Sequence, residues 1–182
     1  MPTYALLIRG INVGGNKRLA MADLRQLLTG LGYADVRTHL QSGNALFRTA
    51  KTKQDALATQ IEKAIAADLG LTVRCMTRSA AEMLAVIEAN PFAEFATQGS
   101  KLLAMFLSAS PEASRLAAHD PRELDPEGVR LGERVIYHWC PNGFLQAPNV
   151  GAFVEKNLRV AVTARNWNTV TKLAAMLQPD AR

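Results

Sequence analysis

DVRTHLQSGNALFRT, residues 35–49, reads as two short strands, 35–41 and 45–49, with the turn residues Ser42, Gly43 and Asn44 between them. A Gly-Asn pair between strand-like runs suits a tight hairpin. Helical patterns flank it on both sides. Upstream, Met21, Leu24, Leu27, Leu28 and Leu31 recur at helical spacing and stop at Gly32. Downstream, Leu57, Ile61, Ala64 and Ile65 do the same and stop near Gly70. The apolar run of residues 3–9 precedes the first helix, and LTVRCMT (71–77) follows the second. The order is β-α-β-β-α-β, that of the ferredoxin-like plait.

A second pass through the same order follows. SAAE, Ser79 to Glu82, is a capping box that opens a helix through Met83, Leu84 and Ile87, and Asn90-Pro91 ends it. KLLAMFLS (101–108) is a strand, and Ser110-Pro111 is expected to cap and start a helix through Leu116. Strands at about 127–131 and 134–139 flank Gly132-Glu133, a two-residue hairpin signal. A helix around Phe153, Val154 and Leu158 leads to VAVTA (160–164), and Trp167, Val170, Leu173, Ala174 and Leu177 form one stripe of a last helix. The halves share element order and no evident letters. YALLI and LLAMFL are apolar at odd and even positions, which buries both sheet faces. The expected architecture is α+β: ferredoxin-like lobes at 1–78 and 100–182, joined by 79–99 and packed into one compact body.

Composition narrows the function classes. Of 182 residues, 48% are hydrophobic and 20% charged, the balance of a globular protein with material for a core. No apolar run approaches the roughly 20 residues of a membrane helix, and the N-terminus lacks a signal-peptide pattern. Two distant cysteines, Cys75 and Cys140, imply no disulfide framework and point to the cytoplasm. The net charge of +5 is uneven: residues 1–78 hold 11 basic against 5 acidic side chains. That is compatible with an anionic partner without demanding nucleic acid, and solvated surface arginine is its more common explanation.

RGINVGGNKR, residues 9–18, follows the first strand and has the character of an anion loop: small residues free the backbone N–H groups, and a cation shares the charge. The P-loop pattern fails, because Asn16 intervenes between Gly15 and Lys17 and Arg18 stands where magnesium needs a hydroxyl. The dinucleotide pattern fails as well, since three residues separate Gly10 from Gly14. A generic anion site and a plain turn using positive φ both fit these residue types.

Three segments, LLIRGINVGGNKRLAMADLRQLL, VRTHLQSGNALF and VTARNWNTVTKLAAML, resemble in order and spacing a bacterial family named domain of unknown function 1697. The resemblance implies a two-part α/β plait and brings no activity, cofactor or catalytic residue. Each segment sets amides and cations beside flexible or helix-starting backbone: Arg9, Asn12, Gly14, Gly15 and Lys17; Gln41, Ser42 and Asn44; Arg165 and Asn166. Asn166 is placed to cap the last helix, and arginine recognises carboxylate or phosphate bidentately. Such a set binds anions and is poor at proton transfer. Equally, Asn44 suits a left-handed turn, Gln41 and Ser42 suit strand ends, and Trp167 suits a core.

Other chemistry is thin. His39, His119 and His138 with the two cysteines show no metal spacing, and Cys140 has no evident base. His39, before QSGN, is the best general base of a poor set. The reading is a cytoplasmic bacterial protein binding a small anionic or phosphorylated ligand at the glycine loop and the start of the last helix. A nucleic-acid-binding plait comes second, because only Tyr4 and Phe47 offer aromatics on the first plait's strands. A scaffold without a small ligand comes third.

Overall fold

A computed structural model describes residues 1–15, 17–50 and 53–178. Its contacts divide the chain into two units: residues 1–83 with 173–182, and residues 84–172.

In the first unit the order is β1 (Thr3–Arg9), α1 (Met21–Gly30), β2 (Ala34–His39), β3 (Asn44–Arg48), α2 (Gln54–Leu69) and β4 (Arg74–Ser79). The sheet runs β2-β3-β1-β4 with all pairs antiparallel, the ferredoxin-like arrangement. Alternation along β1 explains the core. Tyr4, Leu6 and Ile8 point into a cluster with Leu24 and Leu28 of α1 and Leu57, Ile61 and Ile65 of α2. Ala5 and Leu7, on the opposite face, are also buried, as a strand apolar at every position requires. Gly70 closes α2 at φ 66°, a left-handed cap.

The hairpin differs from the sequence expectation. Its loop is Leu40–Gly43, four residues long, because Asn44 already pairs with His39 in the ladder. Gly43 takes φ 85° and Leu40 φ 59°, so a leucine occupies a left-handed position the letters did not suggest.

At the end of β4 the capping box forms. Glu82 N donates to Ser79 Oγ (3.2 Å), and Ser79 N donates to Glu82 Oε2 (2.8 Å). This starts α3 (Ala80–Glu88). Burial pushes the Glu82 carboxyl up, but hydrogen bonds from Ser79 and Gln54 and the charge of Arg78 outweigh it and hold the carboxyl below its usual range. A carboxyl that is more acidic folded than unfolded stabilises above its unfolded pKa, and the gain is lost as pH falls through the folded value. Glu82→Gln is therefore expected to lower stability by about 1 kcal/mol at pH 7. Urea unfolding should show that deficit shrinking below about pH 4; a deficit independent of pH would contradict the ionised cap.

In the second unit the order repeats: β5 (Leu102–Leu107), α4 (Ala113–Ala118), β6 (Val129–Gly132), β7 (Val135–Trp139), α5 (Val150–Leu158) and β8 (Val162–Asn166). The sheet order β6-β7-β5-β8 is again that of the plait. Met105, Leu107 and Ile136 pack with Val150, Val154 and Leu158 of α5. On the other face Tyr137 donates to Val86 O of α3 (2.8 Å) and lies 6.3 Å from the ring of Trp167, which begins α6 (Trp167–Leu177).

Two local expectations are corrected. The helix after β5 starts at Ala113 with Glu112 at its N-cap, and neither Ser110 nor any other side chain caps it. The β6–β7 turn is Glu133-Arg134, with Gly132 inside β6; Arg134 supplies the positive φ (52°) expected of a glycine.

Candidate anion-binding site

Antiparallel pairing brings four chain segments to one end of the first sheet: the C-terminal end of β1, the loop after it, the β2–β3 hairpin loop and the start of β4. Ile11 and Leu19 are buried in the core cluster and anchor the β1–α1 loop at both ends. Between them Gly14, Gly15, Lys17 and Arg18 are exposed. Positive φ recurs at Gly10 (67°), Asn12 (56°), Gly14 (61°), Gly15 (80°) and Lys17 (48°). A Cβ on Gly14 or Gly15 would meet no atom of the chain within 4 Å, so no neighbour within the protein requires a glycine there, while the positive φ favours one.

Asn12 holds the loop in shape. Its Nδ2 donates to Leu19 O (2.9 Å) and Gln41 O (2.6 Å), and its Oδ1 accepts from Leu19 N (2.9 Å). The two loops are thereby stitched together. Asn44, wholly buried, donates from Nδ2 to His39 O (2.9 Å) and Ser42 Oγ (3.0 Å) and fixes the hairpin in the same way. Both asparagines thus commit donors to the scaffold, while Gln41 and Ser42 are exposed beside it.

Lys17, Arg9 and Arg74 lie on these segments. Lys17 Nζ donates to Thr72 O (2.9 Å), which tethers the loop to the approach of β4. Arg9 faces Arg74 directly across the β1–β4 ladder. Like charges in register repel. Arg74 has a partial counter-charge in Glu62 at 3.6 Å, a carboxylate that also accepts from Cys75 N (2.7 Å).

Arg165 and Asn166 belong to the second unit. Asn166 Oδ1 accepts from Thr169 N (3.0 Å), the cap of α6. Arg165 is only 8% exposed, and its Nη1 donates to Thr163 Oγ1 (2.8 Å) and Ala164 O (2.9 Å). Burial pulls its pKa down to about 10. Arg165 lies opposite Ala104 of β5, and Arg78 of β4 lies opposite Ala5 of β1. Arg78 is buried too, and its Nη1 donates to Thr77 O (2.9 Å). Each arginine precedes a capping residue, Ser79 or Asn166. The halves therefore do repeat letters, Arg followed by a cap, in a stretch too short to stand out in the sequence.

A second polar centre escaped sequence reasoning. His138, buried on β7, has Nε2 3.1 Å from Asp125 Oδ2, and Asp125 Oδ1 accepts from Gly128 N (2.9 Å). The DPEG turn at 125–128 was the available signal. Cys140, also buried, has its thiol pushed up to about 11 by burial and by Asp125, which makes it unreactive. Burial likewise pushes the Cys75 thiol up. Among the described residues no three His, Cys, Asp or Glu side chains are grouped to hold a metal, and no helix is long and apolar enough to cross a membrane. Tyr4 and Phe47, the aromatics a nucleic-acid reading required, are buried in the first core.

The sequence matches, over residues 1–137, the family described as protein of unknown function (DUF1697). No curated protein matches it. The fold is similar to the structure of conserved bacterial protein SP0830 from Streptococcus pneumoniae, with a TM-score of 0.73 and 25% identity over 97% of this chain and 99% of that one.

Proposed function

Because the chain belongs to the DUF1697 family, whose description assigns no activity, we propose from the geometry that it binds a small anionic or phosphorylated ligand at the β1–α1 loop. The observation that supports this most is the Arg9–Arg74 pairing, two arginines directly opposite in the ladder beside a loop with five positive-φ positions. Arg9, Lys17 and the backbone of Gly14 and Gly15 contact the anion, Gln41 and Ser42 border it, and Asn12 and Asn44 position the loops. This set supplies charge-assisted donors and no general base, so its chemistry is capture and electrostatic stabilisation. Two free, buried cysteines suit a reducing, cytoplasmic setting for such a ligand.

Calorimetric titration of the full chain with inorganic phosphate and pyrophosphate tests this reading. Arg9→Ala is expected to weaken binding roughly tenfold, the loss of one charge-assisted hydrogen bond. Equal affinity in Arg9→Ala, or no binding by the parent chain, would refute it.

A further inference from the structure

Seven large apolar side chains are exposed among the described residues, and two of them, Val13 (68%) and Leu40 (55%), stand on the two loops that Asn12 stitches together. The bond that stitches the loops lies one residue from each: Asn12, next to Val13, donates to the carbonyl of Gln41, next to Leu40. A single exposed leucine is unremarkable in a soluble protein. Leu40 is unusual because it is exposed in a left-handed conformation, φ 59°, where glycine or asparagine is favoured and a leucine is strained. Neither burial nor backbone preference explains a leucine at that point. Val13 is held between Asn12 and Gly14, both at positive φ, and its β-branched side chain is stiff at χ1. A stiff apolar group presented on a fixed loop loses little side-chain entropy when something packs on it.

Resting on the anion-binding reading and extending it, we infer that the ligand is amphiphilic: a phosphate or carboxylate carried on an apolar body. The anionic group lies by Arg9, Arg74 and Lys17, and the apolar body covers Val13 and Leu40. Inorganic phosphate then uses only half of the site.

The test compares phenyl phosphate with inorganic phosphate in calorimetric titrations of the full chain. Burial of an aryl group against two aliphatic side chains is expected to make phenyl phosphate about tenfold tighter. In a Val13→Thr, Leu40→Asn double variant, with asparagine suited to the left-handed position, that ratio is expected to fall to about one. Should the variant fold poorly, a series of methyl, butyl and hexyl phosphates on the parent chain gives the same information, since affinity should rise with chain length. If inorganic phosphate binds through Arg9 but the aryl and alkyl groups add nothing, the amphiphilic inference fails and anion binding stands. If no phosphate binds at all, both fail.

Discussion

Phe47→Ala should destabilise the chain by about 3–5 kcal/mol, the range for emptying a well-packed aromatic site. Phe47 sits on β3 with none of its surface exposed. Its ring stacks on Tyr33 at 4.5 Å and 17°, and Tyr4 tilts against it at 5.9 Å from the facing position on β1. Two strands and the residue just before β2 meet on this ring, so the cavity left by alanine has rigid walls and collapses little. Phe47→Leu keeps most of the volume and should lose about 1–1.5 kcal/mol. Urea unfolding of the two variants would separate them. Equal losses would mean that the volume leucine keeps contributes nothing, and would contradict the cavity account.

Gly43→Ala comes next in size, about 2–5 kcal/mol, from two causes that add. The left-handed backbone at φ 85° disfavours any side chain by about 1–2 kcal/mol. A Cβ there would also lie 2.8 Å from Ile11 Cδ1 and 3.0 Å from Ile8 Cβ. The isoleucine tip can swing away, but the Ile8 Cβ is fixed to the central strand, and Ile8 N donates to Gly43 O at 2.8 Å. Relief must come from the hairpin loop, at about 1–3 kcal/mol. Gly14→Ala, with comparable φ and open space around it, carries only the first cause. Thermal unfolding should therefore rank Gly43→Ala well below Gly14→Ala; equal melting points would show that the contact with β1 does not constrain the loop. Since Gly43 shapes the hairpin beside Gln41, its replacement should also weaken phosphate binding.

How far the letters reached depends on where the relevant physics is local. Periodicity at Leu24, Leu27 and Leu28, the αL cap at Gly70 and the Ser79–Glu82 box are properties of a few consecutive residues, and all could be read directly. So could the burial of both faces of β1 and β5, because continuous apolar runs leave no wet side. The hairpin loop was read as Ser42–Asn44, whereas it is Leu40–Gly43. Gly-Asn looked like the turn, whereas Asn44 is wholly buried and bonded to His39 and Ser42, a fact set by the strand register. Arg134 misled in the opposite sense: an arginine at positive φ gives no sequence signal, so the turn was assigned to Gly132. The polar residues of the glycine loop were legible as a group, but their division of labour was not. Asn12 is a stitch between loops, and the Arg9–Arg74 juxtaposition arises from β1–β4 register over a separation of 65 residues. The same limit hid the His138–Asp125 pair and the equivalence of Arg78 with Arg165, each defined by a partner on another strand or turn.

The central claim is that the loop end of the first sheet binds an anion. Titration of the isotopically labelled full chain with inorganic phosphate, followed through its backbone amide resonances, tests it most directly. Saturable shifts are expected at Arg9, Gly10, Gly14, Gly15, Lys17 and Gln41, with little change elsewhere and marked attenuation in Arg9→Ala. Amides that stay still, or small unsaturable shifts scattered over all the exposed lysines and arginines, would contradict it.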